Sequence, residues 1–330
     1  MRRCDEFVDA TLLALLLDSS LYSDIISTKT FKRLKNISFL GAIDYTSYNK
    51  KRHNRYDHSI SVATLALHYA TLKHLDEHET KHLVIAALLH DVGHGPLSHS
   101  MEPVFQKRYG ISHHSMTNDI IQGVSKLGDE LYQVLKKHHI NIDYIVALLD
   151  GKVSNETAFA LSNPINIDTA DGIIRTISYA YSPQAKKAHL ALLFKPKEII
   201  EALVHKNKRV LDEFWSLKHR VYLNIIHNKE NLKADVLSMR FAEQNSYISK
   251  DDFYLTDKAF KVKYNIQFEK MFKSNDVKSL EYKQRAYYLA INKNTIDSDE
   301  EIFKIYKSKR EPKVLNLLSP KSLSYQGTLF

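Results

Sequence analysis

The chain has 330 residues, 44% of them hydrophobic, enough to bury a sizeable core and to exclude a disordered or fibrous protein. Its 47 basic and 38 acidic side chains give a formal charge of +9, and no apolar run approaches the roughly 18 residues of a membrane-spanning helix. The single cysteine, Cys4, excludes an internal disulfide, and the N-terminus lacks the basic, apolar and small-residue pattern of a secretory signal, so a cytoplasmic location is expected.

Nine Gly and seven Pro are few, whereas Leu, Ala, Lys, Ile and Tyr are plentiful, so long helices are favoured over many tight turns and the expected class is all-α. The excess charge is one-sided. Residues 1–180 hold 19 basic and 20 acidic side chains (−1), and residues 181–330 hold 28 and 18 (+10). A basic half attracts phosphate-bearing partners, nucleic acid among them, although Lys-rich helices are more often solvated surface. Histidine is distributed the other way, with 13 of 17 between His53 and His139.

In chain order, residues 7–17 have an apolar helical pattern, and a second helix is expected from Thr28 or Thr30, carrying Phe31, Leu34 and Ile37. Gly41 and residues 45–54 read as loop. From Asp57 the pattern is again helical: His58, Val62, Leu65, Tyr69 and Leu72 fall at i, i+4, i+7, i+11 and i+14, so His58 shares the inward stripe. A helix from about Thr80 ends at His90 and Asp91, where Val-Gly-His-Gly-Pro breaks the regular backbone. Helices are expected at about 116–136 and 140–149, then from Asn166, carrying Asp168, Asp171, Arg175 and Tyr179. The remainder from 184 reads as helices between Lys-rich turns, with a strand pair near 253–268 suggested by the alternation of Tyr254, Phe260, Val262 and Tyr264.

The informative stretch is HDVGHGPLSH, which packs His90, Asp91, His94 and His99 around two glycines and a proline. Imidazole and carboxylate together suit a divalent ion such as iron, manganese, zinc, nickel or magnesium, and the lack of thiolates argues for an open catalytic site over a structural zinc cluster. Adjacent His and Asp side chains reach one ion only if the backbone bends after them, which Gly93 and Gly95 permit. Taken singly, a His on an apolar helix face is more often a bonded core residue, and an Asp at a helix start a cap.

Five blocks in order, FKRLKNISFLGA, HNRYDHS, HDVGHGPLSH, SHHSMT and INIDTAD, resemble the HD-domain phosphohydrolases over about residues 20–180, within the dGTP and dNTP triphosphohydrolase branch. The resemblance implies an HD-domain helical core over 1–183 and a basic, mostly helical region over 184–330, packed into the same domain or separate from it. It implies that His58, His90, Asp91 and Asp168 bind a divalent metal ion that activates water for attack on phosphorus. It further implies His113 as general acid oriented by Glu102, His94 in contact with the reacting phosphoryl group, His99 as an additional active-site histidine, and Arg55 as a clamp on substrate phosphate. Homo-oligomers are common among such relatives.

The chain departs from that pattern at several nucleotide contacts. Gly172 stands where the family has a tyrosine, Thr169 and Thr176 replace a lysine and an acidic residue, Phe39 occupies a position often polar, and His114 follows His113 where an acidic residue is usual. Lys218 or Arg220 falls near a family arginine. Three readings follow: hydrolysis of a dNTP to deoxynucleoside and triphosphate, a nucleotide phosphomonoesterase or phosphodiesterase, or a metal-retaining module that binds nucleic acid or a protein partner.

Overall fold

Helices dominate the computed structural model, which describes residues 8–46, 53–177, 195–273 and 279–317. Cys4, Tyr179 and the expected boundary near 183 lie outside these residues. The first helices are α1 (Ala10–Asp18), α2 (Ser20–Ser27) and α3 (Lys29–Arg33). Asp9 caps α1 by accepting from the backbone of Thr11 and Leu12, and Thr28 caps α3 in the same way through Phe31.

The centre is the pair α4 (Arg55–Leu72) and α5 (Glu77–Leu89), pressed together along their length. Asn54 caps α4, and Asp76 with Glu79 forms a capping box on α5. Both helices are enclosed over most of their length: residues 83–89 are wholly buried, as are Val62, Ala63, Ala66 and Tyr69. Around them follow α6 (Glu102–Tyr109), α7 (His113–Ile121), α8 (Asp129–Lys137), α9 (Ile142–Leu149), α10 (Glu156–Ser162) and α11 (Ile167–Ile177). The single helix expected at 116–136 is two, because Gly123 turns the chain at a φ of +72° after α7.

The basic half adds α12 (Pro196–Val204), α13 (Lys208–Val221), a short π-helical segment Tyr222–Ile226, α14 (Lys229–Gln244), α15 (Asp257–Lys263) and α16 (Phe268–Met271). One continuous apolar core joins Leu16 to Tyr306 through both halves. The strand pair expected at 253–268 is not there. Phe253, Phe260 and Tyr264, spaced by seven and four, follow a helical stripe, and Thr256 caps α15. The strands lie later: β1 (Ser279–Leu289) and β2 (Tyr306–Asn316), joined through α17 (Asp299–Ile305), form an antiparallel ribbon with β1 packed against α13. Among the described residues no single helix is long and apolar enough to cross a membrane; α1 and α2 pass that test only together, across a 90° bend.

Candidate metal centre

Three helix ends deliver the donors. His58 sits in the first turn of α4, His90 caps the C-terminus of α5 with Asp91 next, and Asp168 lies in the first turn of α11. His58 Nε2 is 3.3 Å from His90 Nε2 and 3.0 Å from Asp168 Oδ1. Asp91 Oδ2 lies 3.6 Å from His58 Nε2 and 3.4 Å from His90 Nε2. The structure thus brings together the four residues that the sequence nominates as ligands.

The remaining ring nitrogens test whether a cation fits. His90 Nδ1 faces the carbonyl of Ala87 at 2.7 Å, and His58 Nδ1 faces Asp171 Oδ2 at 2.6 Å. With both protons on Nδ1, two Nε2 lone pairs point at each other across 3.3 Å, an arrangement that needs a shared proton or a metal ion between them. Without the ion, proton binding takes over. Burial opposes charge on both imidazoles, but Asp91 and Asp168 outweigh it at His90 and raise it to about 9, and Asp168 with Asp171 raises His58.

Asp171 and Arg175 form the support beneath, which sequence reasoning named without assigning it a role. Both are fully buried; Arg175 Nε donates to Asp171 Oδ2 at 2.8 Å and Nη2 to Oδ1 at 3.0 Å. Burial alone raises the Asp171 carboxyl, but the Arg175 guanidinium and the His58 contact hold it well below the carboxylate range. The signal was the i, i+3, i+7 spacing of Asp168, Asp171 and Arg175 on one helix face.

A second cluster lies alongside. Glu102, at the start of α6, accepts from His113 Nδ1 at 2.8 Å and from His99 Nδ1 at 3.2 Å. Burial opposes the Glu102 charge, but these imidazoles hold its carboxyl well below the usual range. The donor atoms of His94, His99, Glu102 and His113 all lie within 4.8 Å of one another. His94 is 1% exposed and stacks beneath His113, ring centroids 4.2 Å apart; burial pushes it toward the neutral form. His94 Nε2 also lies 3.2 Å from Asp91 Oδ1, so the ring stands between the two clusters. Arg55 lines the cavity; its Nη1 donates to Asp91 Oδ2 at 2.6 Å and its Nε to Ser98 Oγ at 3.2 Å. Its charge therefore fixes Asp91 toward the two histidines.

Gly93 holds the two clusters in register. A Cβ there would sit 2.3 Å from the His113 carbonyl oxygen and 2.4 Å from the Thr117 amide nitrogen, so α7 lies directly on the loop after α5. Gly93→Ala is expected to cost about 1–3 kcal/mol of stability by overpacking, read as a lower denaturant midpoint, and to reduce activity by moving His113.

Asp235 of α14 faces the same cavity and accepts from Ser100 Oγ. Burial, only partly offset by that bond, pushes its carboxyl up to about 6. Between about pH 4 and 6 the folded state then holds a proton that the unfolded chain has lost, so this contribution to stability is full below pH 4 and falls as pH rises through 6. Asp235→Asn is expected to flatten that slope, so the variant's gain in urea midpoint over wild type should be larger at pH 7 than at pH 4.5.

Residues 55–162 match the family described as the HD domain. The uncharacterized protein YwfO of Bacillus subtilis is 25% identical over 246 residues, covering 71% of this chain and 54% of that protein. A deoxynucleoside triphosphate triphosphohydrolase SAMHD1 homolog of Dictyostelium discoideum is 24% identical over 265 residues, covering 76% of this chain and 49% of the relative. The chain thus spans about half the length of the curated relatives it matches. The crystal structure of a hypothetical protein from Aquifex aeolicus superposes with a TM-score of 0.65 at 17% identity, covering 90% of this chain and 92% of that one, a likeness of fold.

Proposed function

We propose that this chain, an HD-domain phosphohydrolase by residues 55–162 and its relatives, hydrolyses nucleotides, with a deoxynucleoside triphosphate as substrate and deoxynucleoside and triphosphate as products. The observation that carries the reading is the juxtaposition of His90, Asp91 and Asp168, with His58 buried against them, and the His113–Glu102 pair on one cavity of about 1050 Å³. That volume accommodates a nucleotide-sized ligand. A divalent ion held by the four donors supplies Lewis acidity and makes water a competent nucleophile near neutral pH.

The chain's own residues do the rest. Arg55 orients Asp91, and Asp171 orients His58, so the donors are set before substrate arrives. Glu102 accepts from His113 Nδ1 and fixes the ring, leaving Nε2 to give a proton to the departing 5′ oxygen. His113→Ala is expected to lower kcat about 10²–10⁴-fold on a nucleotide while metal content stays unchanged. Esters of p-nitrophenol, whose leaving group needs no proton, should be spared most of that loss.

One observation favours a second reading, a nucleotide phosphomonoesterase or phosphodiesterase. A Cβ at Gly172 would lie 3.7 Å from Phe39 Cζ, and the Phe39 ring covers His58 at a centroid distance of 4.8 Å. Gly172 thus offers no side chain where the family has a tyrosine, and its neighbour there is the apolar ring of Phe39. Product analysis on dNTPs, NTPs, monophosphates and cyclic nucleotides separates the two. Triphosphate released from dNTPs supports the first reading, whereas orthophosphate from monophosphates or opened cyclic nucleotides replaces it with the second.

A further inference from the structure

The far wall of the cavity, built by the basic half, carries cations that have no carboxylate within ion-pair distance among the described residues. Lys218 of α13 is 7% exposed, donates to the Pro164 carbonyl at 3.1 Å, and lies over Trp215 and Tyr287 at 4.8 and 5.1 Å. It is attracted by Asp168 on one side and repelled by Arg285 on the other, and burial pushes it down to about 8. Arg285 of β1 donates to Tyr222 Oη at 3.3 Å. Arg310 of β2 is exposed and stands directly opposite Arg285 in the ribbon register. All three line the cavity that holds the metal donors.

Two physical points set this row apart from solvated surface. Like charges directly opposite one another in an antiparallel pair destabilise the ribbon, and a cation that loses water without a partner costs free energy. Among the described residues none of the three pairs with a carboxylate; the neighbouring Glu311 is occupied by Lys309 and Lys313. Tyr222, which holds Arg285, opens the π-helical segment, an irregularity frequent at functional sites. Behind it the buried Nδ1 of His227 has no hydrogen-bond partner among the described residues.

We propose that Lys218, Arg285 and Arg310 form a second phosphate-binding subsite that receives the non-reacting phosphoryl groups of the substrate, in line from the metal centre toward the ribbon. The proposal rests on the phosphohydrolase reading and names how its substrate is selected: a chain of linked phosphates reaches this subsite, whereas a monophosphate does not. Planar guanidinium groups suit bidentate contact with phosphate, and two of them cross-strand offer a fixed clamp.

The test is calorimetric binding of inorganic triphosphate and of orthophosphate to manganese-loaded protein, a readout independent of any turnover. In Arg285→Ala and Arg310→Ala the affinity for triphosphate is expected to fall at least tenfold, with orthophosphate binding unchanged. Arg310 is exposed, so its variant tests the subsite even if Arg285→Ala misfolds. Lys218→Met, which keeps the stem and removes the largely desolvated charge, is expected to weaken triphosphate binding while the melting temperature holds or rises; a merely structural lysine would give the opposite. Unchanged triphosphate affinity in Arg285→Ala and Arg310→Ala overturns the proposal, as does an equal loss for both anions. If wild type hydrolyses no nucleotide yet these binding differences appear, the functional reading fails and the subsite stands.

Discussion

Asp168→Ala is expected to yield a folded protein that no longer retains its metal and whose kcat/KM on nucleotides falls by more than about 100-fold, the upper range for groups that only support a ligand. The side chain is 48% exposed, and apart from His58 and His90 it faces the cavity. Its removal therefore takes away a donor without opening the core. Metal content after gel filtration and the unfolding midpoint, measured together, check this: the first should collapse and the second should barely move.

Three residues along the same helix the balance reverses. Asp171→Ala leaves Arg175 charged and fully buried with its bidentate partner gone, and breaking such a pair costs about 3–5 kcal/mol. The same change frees the His58 ring to rotate, so metal affinity should also drop about 10–100-fold in whatever fraction folds. Chemical denaturation and manganese titration of Asp171→Ala and Asp171→Asn separate the two effects. The amide keeps the shape and one hydrogen bond but not the charge, so it should recover part of the metal affinity and little of the stability.

The candidate ligands came from the family resemblance, and local rules gave only the position of each. His58 lies on a helical stripe, His90 and Asp91 stand where glycines end a helix, and Asp168 opens another. Their convergence came from the order of the motifs, which encodes the packing of α4, α5 and α11. Short helices were harder to read. In α2 the sequence SLYSDIIS is half polar, and burial of Tyr22, Ile25 and Ile26 by neighbours decides its structure. The ribbon was illegible for a related reason: β1 carries Lys283 and Arg285 within its alternation, and β2 carries Pro312, which reads as a strand breaker and is tolerated here in a two-stranded edge. Lys218, Arg285 and Arg310 meet only through tertiary packing across 92 residues of chain, so from sequence Arg285 and Arg310 were part of a charge excess, and Lys218 was one of two candidates near a family arginine.

The most direct test of the metal centre is a crystal of manganese-soaked protein measured at the manganese absorption edge. One strong anomalous peak is expected within bonding distance of His58, His90, Asp91 and Asp168, lost in Asp168→Ala. No peak there, or a peak among His94, His99, Glu102 and His113 instead, would contradict it.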